Sequence, residues 1–201
     1  MATRRASRRN PLSGWSAPLG EGEGALAEDV DGPGADEGDQ GRRPRGTAHD
    51  RALRLLTFRA RSRRELEDRL LRAGFDPDEV VRELDGLEAA GLIDDRRLAQ
   101  AVVEHAVTVR MAGRRSVVGA LRSRRIDPEV VQEVLGGPDP AGDEHQRAHD
   151  LAARRASHLR SLEPQVAFRR LASFLARRGY PPGLAREAAA RALAPDPSDQ
   201  G

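Results

Sequence analysis

His145 and His149 lie four residues apart in a helical stretch, a spacing that presents two imidazoles on one face as metal ligands would need. A zinc-hydrolase helix also carries a glutamate after the first histidine as general base, and here that residue is Gln146. A third ligand would have to come from elsewhere. The pair therefore reads as two solvated histidines on a polar helix. Asp94-Asp95 has the look of a magnesium pair, but it follows Gly91-Leu92-Ile93 and precedes a helix, which makes it an N-cap. Gly20-Glu21-Gly22-Glu23-Gly24 imitates a phosphate loop, yet no strand precedes it and no helix follows. Cysteine is absent, so there is no thiolate nucleophile, disulfide or cysteine zinc site. No Ser/His/Asp order or buried carboxylate pair is legible. No catalytic residue, metal ligand or cofactor is assigned, and an enzyme is not expected.

Arginine placement carries more information. All 34 basic residues are Arg and none is Lys, against 32 acids, giving a formal charge of only +2. The pI near 10.1 reflects the high guanidinium pKa rather than a large net charge. Position must decide the matter. Arg110 to Ile126 contains six arginines and no acid, whereas solvated faces normally mix signs. Such a run points to an anionic partner, either single-stranded nucleic acid or an acidic protein groove. Aromatics make up 3% of the chain, which weakens base stacking as the recognition mode.

Residues 1–47 hold nine Gly and four Pro, with eight acids between Glu21 and Asp39 and no apolar period. That segment cannot bury enough apolar surface to offset its chain entropy and is expected to be a disordered tail. Arg4, Arg5, Arg8 and Arg9 are followed by no apolar h-region, so a secretory signal is not read. No 18-residue apolar run exists, and a cytoplasmic location without membrane contact is the expectation.

From Ala48 onward the pattern is helical. Ala52, Leu53, Leu55 and Leu56 form an apolar stripe. Ser62-Arg63-Arg64-Glu65 spells a capping box, and its helix should place Leu66, Leu70 and Leu71 on one face before stopping at Gly74. Asp76-Pro77-Asp78-Glu79 opens a third helix with Val80, Leu84 and Leu87 on its buried side and Gly91 at its end. Adding 51 maps Leu66 and Leu70 onto Val117 and Leu121, and Phe75-Asp76-Pro77 onto Ile126-Asp127-Pro128. A further 54 reaches Leu171, Leu175 and Tyr180-Pro181-Pro182. The expectation is an all-α chain of tandem three-helix repeats at 48–93, 94–137 and 138–195, with a disordered end at 196–201. First helices should run over Asp50–Arg59, Asp95–Val109 and Ala141–Arg160. Repeats that bury one another's faces suggest an elongated molecule that can also curve. The same register aligns Arg64, Arg115 and Arg169, Arg63 with Arg114, Arg72 with Arg177, and Arg124 with Arg178. With Arg122 and Arg125, these form the candidate partner- or DNA-binding set.

In order, Ala52–Leu56, Ser62–Leu66, Leu70–Asp76 and Gly91–Ala99 resemble the RecX family, regulators of RecA recombinase, over roughly residues 48–193. The family often has an aromatic where Leu98 stands. Arg125 occupies the turn filled by Gly74 and Gly179 elsewhere, and Gly119 interrupts a helix. The resemblance implies a monomeric inhibitor that lies in the groove of the RecA–single-stranded DNA filament. It would block filament growth and damp ATP hydrolysis, strand exchange and SOS coprotease activity, with single-stranded DNA as a further partner. A rival reading is a helix-turn-helix regulator on duplex DNA, which would need base-reading side chains early in a recognition helix. Those helices offer Arg there but no Asn or Gln. A protein-protein adaptor, the third reading, predicts no DNA affinity even at low salt.

Overall fold

Six of the nine described helices begin at a side chain that accepts a first-turn N–H, and α9 begins at a proline, which has no N–H to satisfy. The computed structural model describes residues 46–137 and 144–194, so 1–45, 138–143 and 195–201 lie outside the described residues. The tail expected at 1–47 and the end expected at 196–201 fall there, apart from Gly46 and Thr47. Thr47 is the N-cap of α1 (Ala48–Phe58), its hydroxyl accepting the Asp50 N–H. The capping box forms as read: Ser62 accepts the Glu65 N–H at the start of α2 (Arg63–Arg72), and Glu65 accepts the Ser62 N–H. Asp76 caps α3 (Pro77–Ala89), Asp94 caps α4 (Asp95–Thr108) and Gly113 precedes α5 (Arg114–Ser123). Asp127 caps α6 (Pro128–Gly136), α7 spans Glu144–Ala156, Glu163 caps α8 (Pro164–Arg177) and α9 is Pro182–Leu193. The described residues form nine helices and no strands.

Three apolar clusters divide these helices into consecutive triplets. Leu70, Leu121 and Leu175, matched by the 51- and 54-residue offsets, are all fully buried, each on the second helix of its triplet. Two expectations are corrected. Leu71 is 40% exposed, because it sits about 100° around α2 from the buried Leu70. The helix expected over Ala141–Arg160 stops at Ala156: bonds from Leu159 N–H to Ala156 and from Leu162 N–H to Leu159 tighten the chain and swing Leu159 into the core.

Turn geometry repeats as well. Gly74, Gly91 and Gly179 take φ of 86°, 72° and 92°, the left-handed region that ends a helix. Arg125 adopts φ 52° at the equivalent turn, so the middle repeat keeps the geometry with a residue poorly suited to it. Inside α5, a Cβ added at Gly119 would meet nothing within 4 Å. Gly119→Ala is therefore expected to raise unfolding free energy by about 1 kcal/mol, read by urea denaturation. A destabilised variant would show that this turn of α5 is packed more tightly than its open surroundings indicate.

Candidate nucleic-acid interface

The second helices meet end to end through a joint used twice. At α5, Arg124 donates from Nη2 to the Ala60 carbonyl at 2.5 Å and from Nε to Glu65 Oε1 at 3.0 Å. At α8, Arg178 donates from Nη1 to the Arg110 carbonyl at 2.9 Å. Arg124 and Arg178 are the residues that the repeat register aligned, and both reach the loop before the preceding unit's second helix. The other half of the joint is an acid in the first turn of the next unit. Asp95 Oδ1 accepts the Arg63 N–H at 2.9 Å, and Glu144 Oε1 accepts the Arg114 N–H at 2.7 Å. Burial pushes the Asp95 carboxyl up from its ordinary value, opposed by the Arg63 N–H.

The joint between α5 and α8 is closed further by backbone. Gly113 N–H donates to the Arg178 carbonyl at 2.8 Å and Arg115 N–H to the Gly179 carbonyl at 3.2 Å. Tyr180, the sole tyrosine, is fully buried and donates its hydroxyl to the Met111 carbonyl at 2.7 Å. Burial raises the Tyr180 pKa above 10.0. The sign follows directly: the neutral phenol is favoured in the fold, so its contribution is intact below pH 10 and is lost as pH rises through the folded value. Alkaline titration followed by phenolate absorbance should show ionisation coupled to loss of helix. Free titration of Tyr180 at the ordinary value, with helix intact, would contradict its burial.

These joints sort the eleven candidate arginines. Arg63 bridges Asp85 at 2.5 Å and Glu88 at 2.8 Å. Its partial burial opposes the charge, but the two carboxylates overcome that and raise its pKa. Arg64 pairs with Asp127 at 2.6 Å and Arg125 with Asp68 at 2.8 Å. Arg124 and Arg178 are the joint residues. Arg114 reaches the Leu135 carbonyl at 3.3 Å, and Arg72 the Asp68 carbonyl of its own helix. The remaining four, Arg115, Arg122, Arg169 and Arg177, are exposed and have no ion pair among the described residues. Arg115 and Arg122 lie seven residues apart on α5, two turns along one face, and Arg169 is the counterpart of Arg115 on α8.

An open groove of about 630 Å³ adds residues that the sequence reading missed. Arg155 of α7 and Arg169, Arg170 and Arg177 of α8 line it around the half-buried Phe174 ring, with no acid in the lining. The guanidinium carbons of Arg155 and Arg178 lie 5.5 and 5.3 Å from the ring centroid. The signal was present: Arg170, Phe174 and Arg177 fall at i, i+4 and i+7. Averaged over the chain, where aromatics make up 3%, this local cluster does not show. On α7, His149 faces Glu187 at 3.6 Å, and no cluster of three metal-ligating side chains occurs among the described residues. No described helix is long and apolar enough to cross a membrane.

Consecutive helical triplets joined end to end, with exposed arginines on α5 and α8 that form no ion pair among the described residues, define an all-helical repeat protein. Residues 48–87 match the family model for the first three-helix domain of RecX, and residues 143–189 match that for the third. Regulatory protein RecX of Amycolatopsis mediterranei is 38% identical over 131 residues, covering 65% of this chain and 74% of the relative. That of Mycolicibacterium smegmatis is 38% identical over 166 residues, covering 79% and 87%. In fold, the crystal structure of RecX from Lactobacillus salivarius superposes with a TM-score of 0.62 at 18% identity, covering 72% of this chain and 94% of that one. The chain belongs to the RecX family of regulatory proteins.

Proposed function

We propose that this protein is a non-catalytic, cytoplasmic, monomeric regulator that binds the RecA–single-stranded DNA filament and inhibits RecA. Inhibition would cover filament growth, ATP hydrolysis, strand exchange and SOS coprotease activity. Its three units, drawn at 48–93, 94–137 and 138–195, would each face one interval of the polymer. The observation that carries the reading is the recurrence of exposed arginines free of acids, Arg115 and Arg122 on α5 and Arg169 and Arg177 on α8. Guanidinium groups not neutralised internally are the ones available to phosphate or to acidic grooves on a partner.

The experiment is the DNA-dependent ATPase of RecA with added protein, alongside binding to single-stranded DNA across a salt series. The wild-type chain should slow the ATPase. Arg115→Ala with Arg122→Ala should relieve that slowing and flatten the slope of log affinity against log salt by ~1.4, at about 0.7 per phosphate contact. Tight, sequence-dependent binding to a short duplex, with RecA unaffected, would instead favour the helix-turn-helix reading.

A further inference from the structure

We propose that the groove between α7 and α8 is a single-stranded nucleic-acid subsite. One base stacks on Phe174, and Arg169, Arg170 and Arg177 hold the neighbouring phosphates. This deepens the regulatory reading above and rests on it. From Leu151 to Arg178 the chain has seven arginines and one acid, and that acid, Glu163, is spent capping α8 by accepting the Gln165 and Val166 N–H groups. The groove is thus strongly cationic without a carboxylate to compete for its guanidinium groups.

Phe174 selects among anions. An acidic peptide would satisfy the arginines but leave the ring and Val166, both in the groove lining, uncovered. A nucleobase covers both. A base in a duplex already has its faces stacked, so a single strand fits and a duplex does not. Magnitudes favour the exchange. Arg178 is anchored by the Arg110 carbonyl and stays in place. Arg155 is exposed, and the cation–π contact is the one polar or ring contact of its side chain among the described residues, worth about 0.5–1 kcal/mol. Base–aromatic stacking contributes about 1–3 kcal/mol, so a base displaces Arg155, which is then free to meet a phosphate.

The test uses the full chain with fluorescent oligo(dT), an abasic oligonucleotide of equal length, and oligoglutamate as competitor. Phe174→Leu should weaken oligo(dT) binding about tenfold with the salt slope unchanged. Abasic binding should be the same in wild type and Phe174→Leu, and Phe174→Trp should retain affinity for oligo(dT). Arg170→Gln with Arg177→Gln should flatten the salt slope by ~1.4. Unchanged oligo(dT) affinity in Phe174→Leu would overturn the subsite, as would oligoglutamate competing as well as unlabelled oligo(dT). Should Phe174→Leu lose helicity, loss of affinity in the well-folded Phe174→Trp variant decides against it. RecA ATPase measured in parallel separates the two readings. Slowing by wild type with an indifferent Phe174→Leu sinks the subsite alone. No slowing by wild type sinks the regulatory reading while the stacking result stands.

Discussion

Gly179→Ala is expected to lose about 2–5 kcal/mol of stability and to open the joint between α5 and α8. Two costs add. At φ 92° an alanine pays about 1–2 kcal/mol for the left-handed conformation. Its Cβ would also press on the backbone nitrogen and side chain of Ser116, and overpacking against backbone costs about 1–3 kcal/mol. Helix α5 cannot yield without breaking the Gly113 and Arg115 N–H bonds to the other side of the joint. Gly91→Ala is the matched comparison. Its φ is 72°, but an added Cβ there meets nothing within 4 Å, so it should show the conformational cost alone. Urea denaturation of both variants reads the difference. In Gly179→Ala, Tyr180 should also titrate nearer its ordinary value, since its burial depends on the same joint. Equal losses in the two variants would mean that the joint tolerates a side chain and is not closely packed.

Glu65→Ala should cost about 3 kcal/mol or more. Glu65 is buried and serves two structures at once: it closes the capping box on Ser62 and receives the Arg124 guanidinium through both carboxylate oxygens. Removing it forfeits about 1 kcal/mol of capping and strands the partly buried Arg124 charge. Arg124→Ala should also destabilise, and the double variant should fall well short of the sum, because each single change removes the same ion pair, leaving Arg124 with only the Ala60 carbonyl or Glu65 with Arg59 and the Ser62 N–H. Additive losses in such a cycle, with thermal unfolding as the measure, would show that the bridge is not coupled. The result also bears on any test of the basic run from Arg110 to Ile126. Substituting Arg124 together with Arg115 and Arg122 would confound a lost joint with a lost ligand contact, so the exposed pair is the cleaner probe.

Several features were set by residues near one another in the chain. The capping box at Ser62, the Asp-Pro starts at Asp76 and Asp127, and the left-handed stops at Gly74 and Gly91 all depend on contacts within about four residues, which spacing alone encodes. The 51- and 54-residue offsets were equally legible, because burial of Leu70, Leu121 and Leu175 follows from helical periodicity within each unit. The same offsets showed that Arg124 and Arg178 correspond, but not why. Both belong to the candidate anion-binding set, and in the fold both also brace a joint whose acceptors lie 59 to 68 residues away. Charge pattern along a chain cannot distinguish a guanidinium that meets a distant carbonyl from one that faces solvent, since that depends on which helix ends are brought together. Only tertiary packing closed Arg63, Arg64 and Arg125 onto acids, left Arg115 and Arg122 exposed, and placed Arg155 over Phe174 on a neighbouring helix.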